Sequence, residues 1–154
     1  ISKSTKDICD LIIRSRRVRS HNQVIKIGKN FSCVGFSLNC PNSHGYVSIG
    51  DDCLFGHSIT AKTSDGHSLI DLNTGEVTNL PKSIEIGNKV WVGDHVHFLK
   101  GSKINDESVI ALGSIVTKEF NEKNILIAGN PAVIKKRNIT WNRVRPTEYK
   151  KKKD

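Results

Sequence analysis

Hydrophobic residues recur at every sixth position through the second half of this chain. The spacing is unbroken over six repeats, made by Ile86, Val92, Phe98, Ile104, Ile110 and Val116. The fifth place of the repeat is also apolar or small, with Val90, Val96, Ser102, Ser108 and Ser114. A fixed short period of this kind is the signature of a repeat architecture.

The same register can be followed upstream of the regular repeat. Ile27-Gly28 is followed six positions later by Cys33, and Ile49-Gly50 is followed by Phe55 and Ala61. Phrases of the IxIG type end at residues 28, 50 and 87, which are spaced by 22 and 37 residues. A three-sided coil of such repeats needs about 18 residues. The first excess fits the turn at 41–44, and the second predicts a loop over residues 62–83.

The repeat predicts an all-β fold of stacked coils. Three short strands per coil would place one apolar residue of each hexad inside the column, and each strand would pair with the coils about 4.8 Å above and below. The pattern predicts a parallel β-helix over residues 22–121 but does not fix its hand, since parallel crossovers are usually right-handed.

Both ends of the chain depart from the repeat. Ile8, Leu11 and Ile12 have helical spacing, which predicts a short leading helix over residues 6–14 within a lead-in of residues 1–21. Pro131 suits the first position of a short capping helix over residues 132–137, within a C-terminal cap of residues 122–140. A basic tail of residues 141–154 follows.

Composition bounds the class of protein. The chain has 154 residues with 36% hydrophobic residues and a formal net charge of +9. No apolar run is long enough for a membrane span, so we expect a cytoplasmic protein without a transmembrane segment. The charge indicates an anionic partner, with nucleic acid, coenzyme phosphates and an acidic polysaccharide as candidates. Cys33 and Cys53 occupy inward positions, so the four cysteines are expected to be reduced thiols.

Residues 64–120, followed by IAGNPAVIKK, resemble the hexapeptide-repeat acyltransferases, and among them the capsular polysaccharide O-acetyltransferases that act on polysialic acid. The resemblance covers roughly residues 27–141 and extends to galactoside acetyltransferase. It implies a left-handed β-helix and a homotrimer with active sites between subunits. It also implies acetyl-CoA as the donor and a saccharide hydroxyl as the acceptor. Together with the resemblance, the positive charge indicates an anionic glycan as the acceptor, and no nucleic-acid partner is expected.

The resemblance also implies the catalytic residues. His67, in the phrase Ser64-Asp65-Gly66-His67, matches the catalytic histidine of galactoside acetyltransferase, and Trp91 follows at the expected distance. The chemistry agrees, because a sugar hydroxyl is too weak an acid to attack a thioester unaided, whereas a neutral imidazole can accept its proton. Asp65 either orients the imidazole or forms a turn. Trp91 either packs between subunits or contacts the substrate, and we favour the substrate.

The donor site is carried over position by position from the same family. The matching residues are Asp94, Leu112, Gly113, Thr117, Lys118 and Lys135. The two lysines suit the coenzyme's phosphates, and Gly113 leaves room for the pantetheine arm. Leu112 departs from the small residue that the family prefers, which bears on the width of this channel.

Three other readings of the sequence stay open. One is transfer to an amino sugar, which would make an amide. Another is a β-helix that binds a polyanion, including nucleic acid, without catalysis. The aromatic content of 6% argues against a specific nucleic-acid site, because such sites stack bases on aromatic rings. The third uses the HxH pair His95 and His97 as zinc ligands. No carboxylate pattern supports this pair, so no metal is expected.

Overall fold

The six-residue repeat folds as short strands that follow one another around a column. The structure, a computed structural model, describes residues 10–14 and 21–150. Within these ranges the strands are β1 (Leu11–Arg14), β2 (Val24–Ile27), β3 (Ser32–Cys33), β4 (Phe36–Asn39), β5 (Tyr46–Ile49), β6 (Leu54–Phe55), β7 (Ile59–Lys62), β8 (Ile84–Ile86), β9 (Trp91–Val92), β10 (His97–Phe98), β11 (Lys103–Ile104), β12 (Val109–Ile110), β13 (Ile115–Val116), β14 (Glu119–Phe120), β15 (Leu126–Gly129) and β16 (Ala132–Lys136).

The strands form three sheets, which are the three faces of the column. Sheet A holds β3, β6, β9, β12, β15 and β16; sheet B holds β1, β4, β7, β10 and β13; sheet C holds β2, β5, β8, β11 and β14. The chain visits sheets C, A and B in turn, so each circuit is one coil. Neighbouring coils pair in parallel. The architecture is the predicted left-handed parallel β-helix.

The predicted inward positions form the core. The six repeat residues from Ile86 to Val116 are each at most 3% exposed. The fifth-place residues are buried as well, and the Ser102 hydroxyl lies within hydrogen-bond distance of the carbonyl oxygens of Leu99 and Val116, at 2.6 and 2.9 Å. Because these buried hydroxyls have acceptors, small polar residues are tolerated where the chain turns inside the column.

The corner between sheets C and A is held by a ladder of side-chain acceptors. The amides of Lys29, Asp51 and Asn88 donate to side-chain oxygens of the next coil, on Asp51, Asn88 and Asp106, at 2.7, 2.9 and 2.7 Å. Gly50 lies against this ladder, and a Cβ there would stand 2.6 Å from the Gly87 carbonyl oxygen. The IxIG phrases therefore combine a buried strand residue with a corner that leaves no room for a side chain.

The predicted leading helix is wrong where the structure describes it. Leu11–Arg14 is strand β1, which pairs in parallel with β4 so that Leu11 lies opposite Phe36 and Ile13 opposite Leu38. Residues 6–9 of the predicted helix lie outside the described residues. A short apolar run is compatible with helix or strand, and here the open edge of sheet B supplies backbone partners that decide the outcome.

The predicted capping helix is also wrong. Ala132–Lys136 is strand β16, antiparallel to β15, with Ile127 opposite Ile134. Ala132 is buried and Val133 is exposed, which is the alternation of a strand. The last strand of sheet A would otherwise leave its backbone groups unpaired, and β16 covers that edge.

Beyond β16 the chain runs back along the corner between sheets C and A. We call residues 138–149 the C-terminal strap. Successive strap residues contact successively earlier coils. The Ile139 amide donates to the Asn124 carbonyl at 3.0 Å, and the Thr140 hydroxyl donates to the Glu107 carboxylate at 3.1 Å. The Trp141 indole donates to the Lys89 carbonyl at 2.7 Å. The strap thus connects successive coils along the column.

Arg143 fixes the far end of the strap. Its guanidinium donates to the Ser32 hydroxyl at 2.9 Å and to the Cys53 carbonyl at 3.1 Å, and it lies 5.5 Å from the centre of the Trp141 ring. Partial burial lowers the pKa of Arg143. These contacts reach the first two coils, so the strap spans the described column from its last coil to its first.

Cys33, Cys40 and Cys53 are buried in the core, and reduced thiols stay a prediction for the four cysteines. Burial raises the pKa of Cys53 to about 12, so this thiol is a small apolar core group. Cys9 lies outside the described residues. The part of the chain that the structure describes contains no helix with the length and apolar character of a membrane span.

Candidate active site

A long loop leaves the column between β7 of sheet B and β8 of sheet C. We call residues 63–83 the excursion loop. Its outer part is a small hairpin in which Ile70 bridges Val77 and the Asp71 carboxylate accepts the amides of Asn73 and Thr74 at 2.7 and 3.1 Å. The loop is therefore folded by its own hydrogen bonds, as expected for a compact functional excursion.

The base of the excursion loop is held by a charged contact. The Lys100 ammonium binds the Asp65 carboxylate and also donates to the Asn79 carbonyl at 3.1 Å. The Asn79 amide donates to Asp65 and to the His67 carbonyl, both at 2.8 Å. The hydrogen bond from Lys100, followed by that from Asn79, lowers the pKa of Asp65. In this chain Asp65 therefore binds the groups that fix the backbone at His67.

The His67 side chain is exposed on this loop. The loop begins at the corner between sheets B and C, and Thr117 and Lys118 follow β13 at the same corner, further along the column. Both are exposed, and the Lys118 ammonium lies 5.5 Å from the centre of the Phe120 ring. This corner thus carries the candidate base and one of the two candidate phosphate ligands.

Three other predicted residues meet at a second location. Trp91, Asp94 and Leu112 line a groove of about 400 Å³ on sheet A, together with Val109 and Leu126. Trp91 is 43% exposed and Leu112 is 69% exposed, so both side chains are accessible. The wall of this groove is mostly apolar, as suits the uncharged arm of a coenzyme.

Gly113 and Asp94 shape the edge of this groove. The Gly113 amide donates to the Asp94 carbonyl at 2.9 Å, and a Cβ at Gly113 would meet no atom within 4 Å. The Asp94 carboxylate accepts the His57 amide at 3.0 Å and lies 3.2 Å from the His57 ring nitrogen Nε2. Asp94 therefore closes the corner between sheets A and B, and the space above Gly113 is open.

The two groups of residues lie on different sides of one chain. The corner between sheets B and C, where the excursion loop begins, is opposite to sheet A, which carries Trp91. Lys135 is exposed on β16 at the end of sheet A. We call the residues at the loop corner (His67, Thr117 and Lys118) the base half-site. Those around the groove on sheet A (Trp91, Asp94, Leu112 and Gly113) are the groove half-site.

The sequence did not indicate Lys100, Asn79 or Asn39. Lys100 and Asn79 meet Asp65 only because the excursion loop folds back onto the next coil. Asn39 ends β4 at the base of this loop, and its Oδ1 is the buried side-chain atom for which the described part of the molecule offers no hydrogen-bond donor. Buried oxygens of this kind usually have a partner, so Asn39 is an exception within the described residues.

The histidine pair considered for zinc has other contacts. His97 Nδ1 lies 2.7 Å from the Thr60 hydroxyl, and the His95 ring packs edge-on against His57 with 4.8 Å between ring centres. Across residues 10–14 and 21–150, no three His, Cys, Asp or Glu side chains gather in an arrangement that could hold a metal ion.

A three-faced column of parallel coils with a loop at one corner defines the class of parallel β-helix proteins, and the solved acetyltransferases that it resembles are left-handed. Comparison with known proteins narrows this class. The chain is 42% identical over 122 residues to polysialic acid O-acetyltransferase of Escherichia coli O1:K1, which covers 79% of this chain and 37% of that protein. It is 30% identical to the crystal structure of the polysialic acid O-acetyltransferase OatWY, with a TM-score of 0.68, covering 90% of this chain and 73% of that one.

Galactoside acetyltransferase, solved in complex with coenzyme A, is 27% identical with a TM-score of 0.60, and the match covers 85% of this chain and 66% of that chain. No family model matches the sequence. The chain spans about half or less of the length of these and similar curated relatives. The chain belongs to the hexapeptide-repeat acetyltransferases.

Proposed function

We propose that this protein transfers an acetyl group from acetyl-CoA to a hydroxyl of a bacterial surface or capsular saccharide. The observation that carries the proposal is the match to OatWY over 90% of this chain. The names of the relatives refer to polysialic acid and to a galactoside, and the net charge of +9 favours the anionic acceptor. A cytoplasmic location is part of this proposal.

His67 is the general base of the proposed reaction. Its ring nitrogen takes the proton of the acceptor hydroxyl as the oxygen attacks the thioester carbonyl carbon. The carbon–sulfur bond then breaks, the ester remains on the sugar, and the coenzyme leaves as a thiolate that takes up the proton. No covalent enzyme intermediate is needed. Lys100, Asp65 and Asn79 support this role by fixing the backbone at His67.

The donor is proposed to lie along the groove half-site. Its pantetheine arm would pass Leu112 and the open space above Gly113, with the acetyl group near Trp91. Lys118 and Lys135 would bind its phosphates as point charges. Because the base and groove half-sites lie on opposite sides of one chain, we propose a cyclic homotrimer in which each active site combines the base half-site of one subunit with the groove half-site of the next.

The first test is acetyl transfer from labelled acetyl-CoA to a panel of sialylated and neutral glycans. We expect transfer to the sialylated acceptors and release of the label by mild alkali, which cleaves esters but not amides. His67→Ala should fold normally and lose activity by about 10²- to 10⁴-fold. His21→Ala, which removes another exposed histidine, is the matched control. Near-normal turnover in the His67 variant would refute the assignment of the base.

A mixing experiment tests the position of the site between subunits. His67→Ala chains are co-refolded in equal amounts with Leu112→Trp chains, whose groove is blocked, and each variant alone is inactive. If neighbours share each site in a ring, about one quarter of the sites regain both intact halves. If each chain carried a complete site, the mixture would stay as inactive as its components.

A further inference from the structure

A second groove lies on sheet A between β9 and the C-terminal strap. It has a volume of about 560 Å³, and its lining includes Lys89, Trp91, Thr140, Trp141, Asn142 and Tyr149. The strap forms one wall, and its position is set by the hydrogen bond of the Trp141 indole to the Lys89 carbonyl. The groove is therefore a product of the strap returning over the column.

Aromatic rings dominate this groove. Tyr149 is 58% exposed, and the rings of Trp91 and Trp141 are 6.1 Å apart with a tilt of 44°. Such rings offer a broad apolar surface with little conformational freedom to lose on binding. The amide of Asn142 and the hydroxyl of Thr140 add polar groups at the rim. Flat apolar faces beside a few hydrogen-bonding groups match the surface of a sugar ring.

The charge around the groove is positive. Residues 138–150 carry a net charge of +2, from three positive side chains (Arg143, Arg145 and Lys150) and one negative side chain (Glu148). The Lys89 ammonium reaches the edge of the groove, 43% exposed and 3.3 Å from Glu107. An anionic ligand is therefore favoured over a neutral ligand of the same shape.

Trp91 connects this groove to the groove half-site, since its ring lines both. We propose that the strap groove binds the sugar residues that flank the acceptor residue of an anionic glycan chain. This inference rests on the proposed function, which places the acetyl group near Trp91. The strap then makes the protein selective for polymers over single sugars, because only a longer chain reaches both grooves.

Intrinsic fluorescence tests the proposal directly, because the two tryptophans of the chain are both in this groove. Sialic acid oligomers of increasing length are added without acetyl-CoA. We expect a spectral change whose dissociation constant falls with oligomer length, and no such change with neutral maltooligosaccharides. Tyr149→Ala and Lys89→Asn should each weaken binding of the long oligomer about 5- to 10-fold. Asparagine is chosen because Lys89 has a φ of 53°.

The matched control is Lys123→Asn, which removes one exposed positive charge away from the groove. In the transfer assay the groove variants should raise the KM for the polymer while kcat and the KM for acetyl-CoA hold. Equal affinity of the groove variants and the control, or equal binding of duplex DNA, overturns the proposal. If transfer persists but the fluorescence is silent, the inference fails and the proposed function stands. Oligomer binding without transfer to any acceptor refutes the proposed function instead.

Discussion

Removing Arg143 should detach the C-terminal strap from the column without unfolding the coils. The guanidinium makes two good hydrogen bonds, to Ser32 and Cys53, and two longer ones to the carbonyls of Asn30 and Asp52 at 3.4 and 3.3 Å. A hydrogen bond from a charged group contributes about 1.5–3 kcal/mol when buried, and contact with an aromatic ring adds about 0.5–1 kcal/mol. Because Arg143 is only partly buried, we discount these values and expect Arg143→Ala to weaken docking by about 2–3 kcal/mol.

A loss of this size raises the detached fraction of the strap about 30- to 150-fold. Hydrogen exchange measures it at the amide of Ile139 and at the indole of Trp141, whose acceptors are on the column. Arg143→Lys keeps the charge but not the planar set of donors, so its exchange should lie between those of the alanine variant and the wild type. Arg145→Ala, at an exposed arginine two residues on, is the control.

The result that refutes this reasoning is specific. If the amide of Ile139 and the indole of Trp141 exchange as slowly in Arg143→Ala as in the wild type, the strap is held by other contacts. The hydrogen bonds of Arg143 then contribute little to its docking. If exchange instead accelerates throughout the core strands, Arg143 stabilises the column itself and the strap is not a separate unit.

Two further predictions concern the corner ladder and the loop anchor. Gly50→Ala should lower the free energy of unfolding by about 2–3 kcal/mol, because the new Cβ overlaps a backbone carbonyl of the next coil. In the control Gly35→Ala, the new Cβ would lie 3.4 Å from its nearest atom, so the free energy of unfolding should fall by less than about 1 kcal/mol in the same denaturation experiment. The folded state lowers the pKa of Asp65 below its ordinary value of 3.8. The hydrogen bonds of the Asp65 carboxylate therefore stabilise the loop fully above pH 3.8, and this stabilisation is lost as the pH falls through the lowered pKa. Loop amides should therefore exchange faster in Asp65→Asn than in the wild type at neutral pH. In strong acid the two proteins should exchange at the same rate, because the wild-type carboxylate is then protonated. A difference in exchange that persists in strong acid would exclude the carboxylate as its source.

The six-residue period indicated the column, because one inward side chain at every sixth position fits a coil with three six-residue sides. It also located the excursion loop, since the break between the phrases ending at Gly50 and Gly87 is too long for one coil. The candidate residues His67 and Trp91 came from family resemblance, and their roles remain proposals.

The tertiary structure decided what local pattern leaves open. Leu11–Arg14 and Ala132–Lys136 are strands because sheet edges supply backbone partners, which short segments cannot signal by their own periodicity. Asp65 is bound by Lys100, 35 positions away, and Arg143 reaches Ser32 across 111 positions. Contacts at such separations depend on how the coils stack and where the strap returns. The sequence therefore determined the repeat, and the closure of the chain on itself decided the groove that its two tryptophans share.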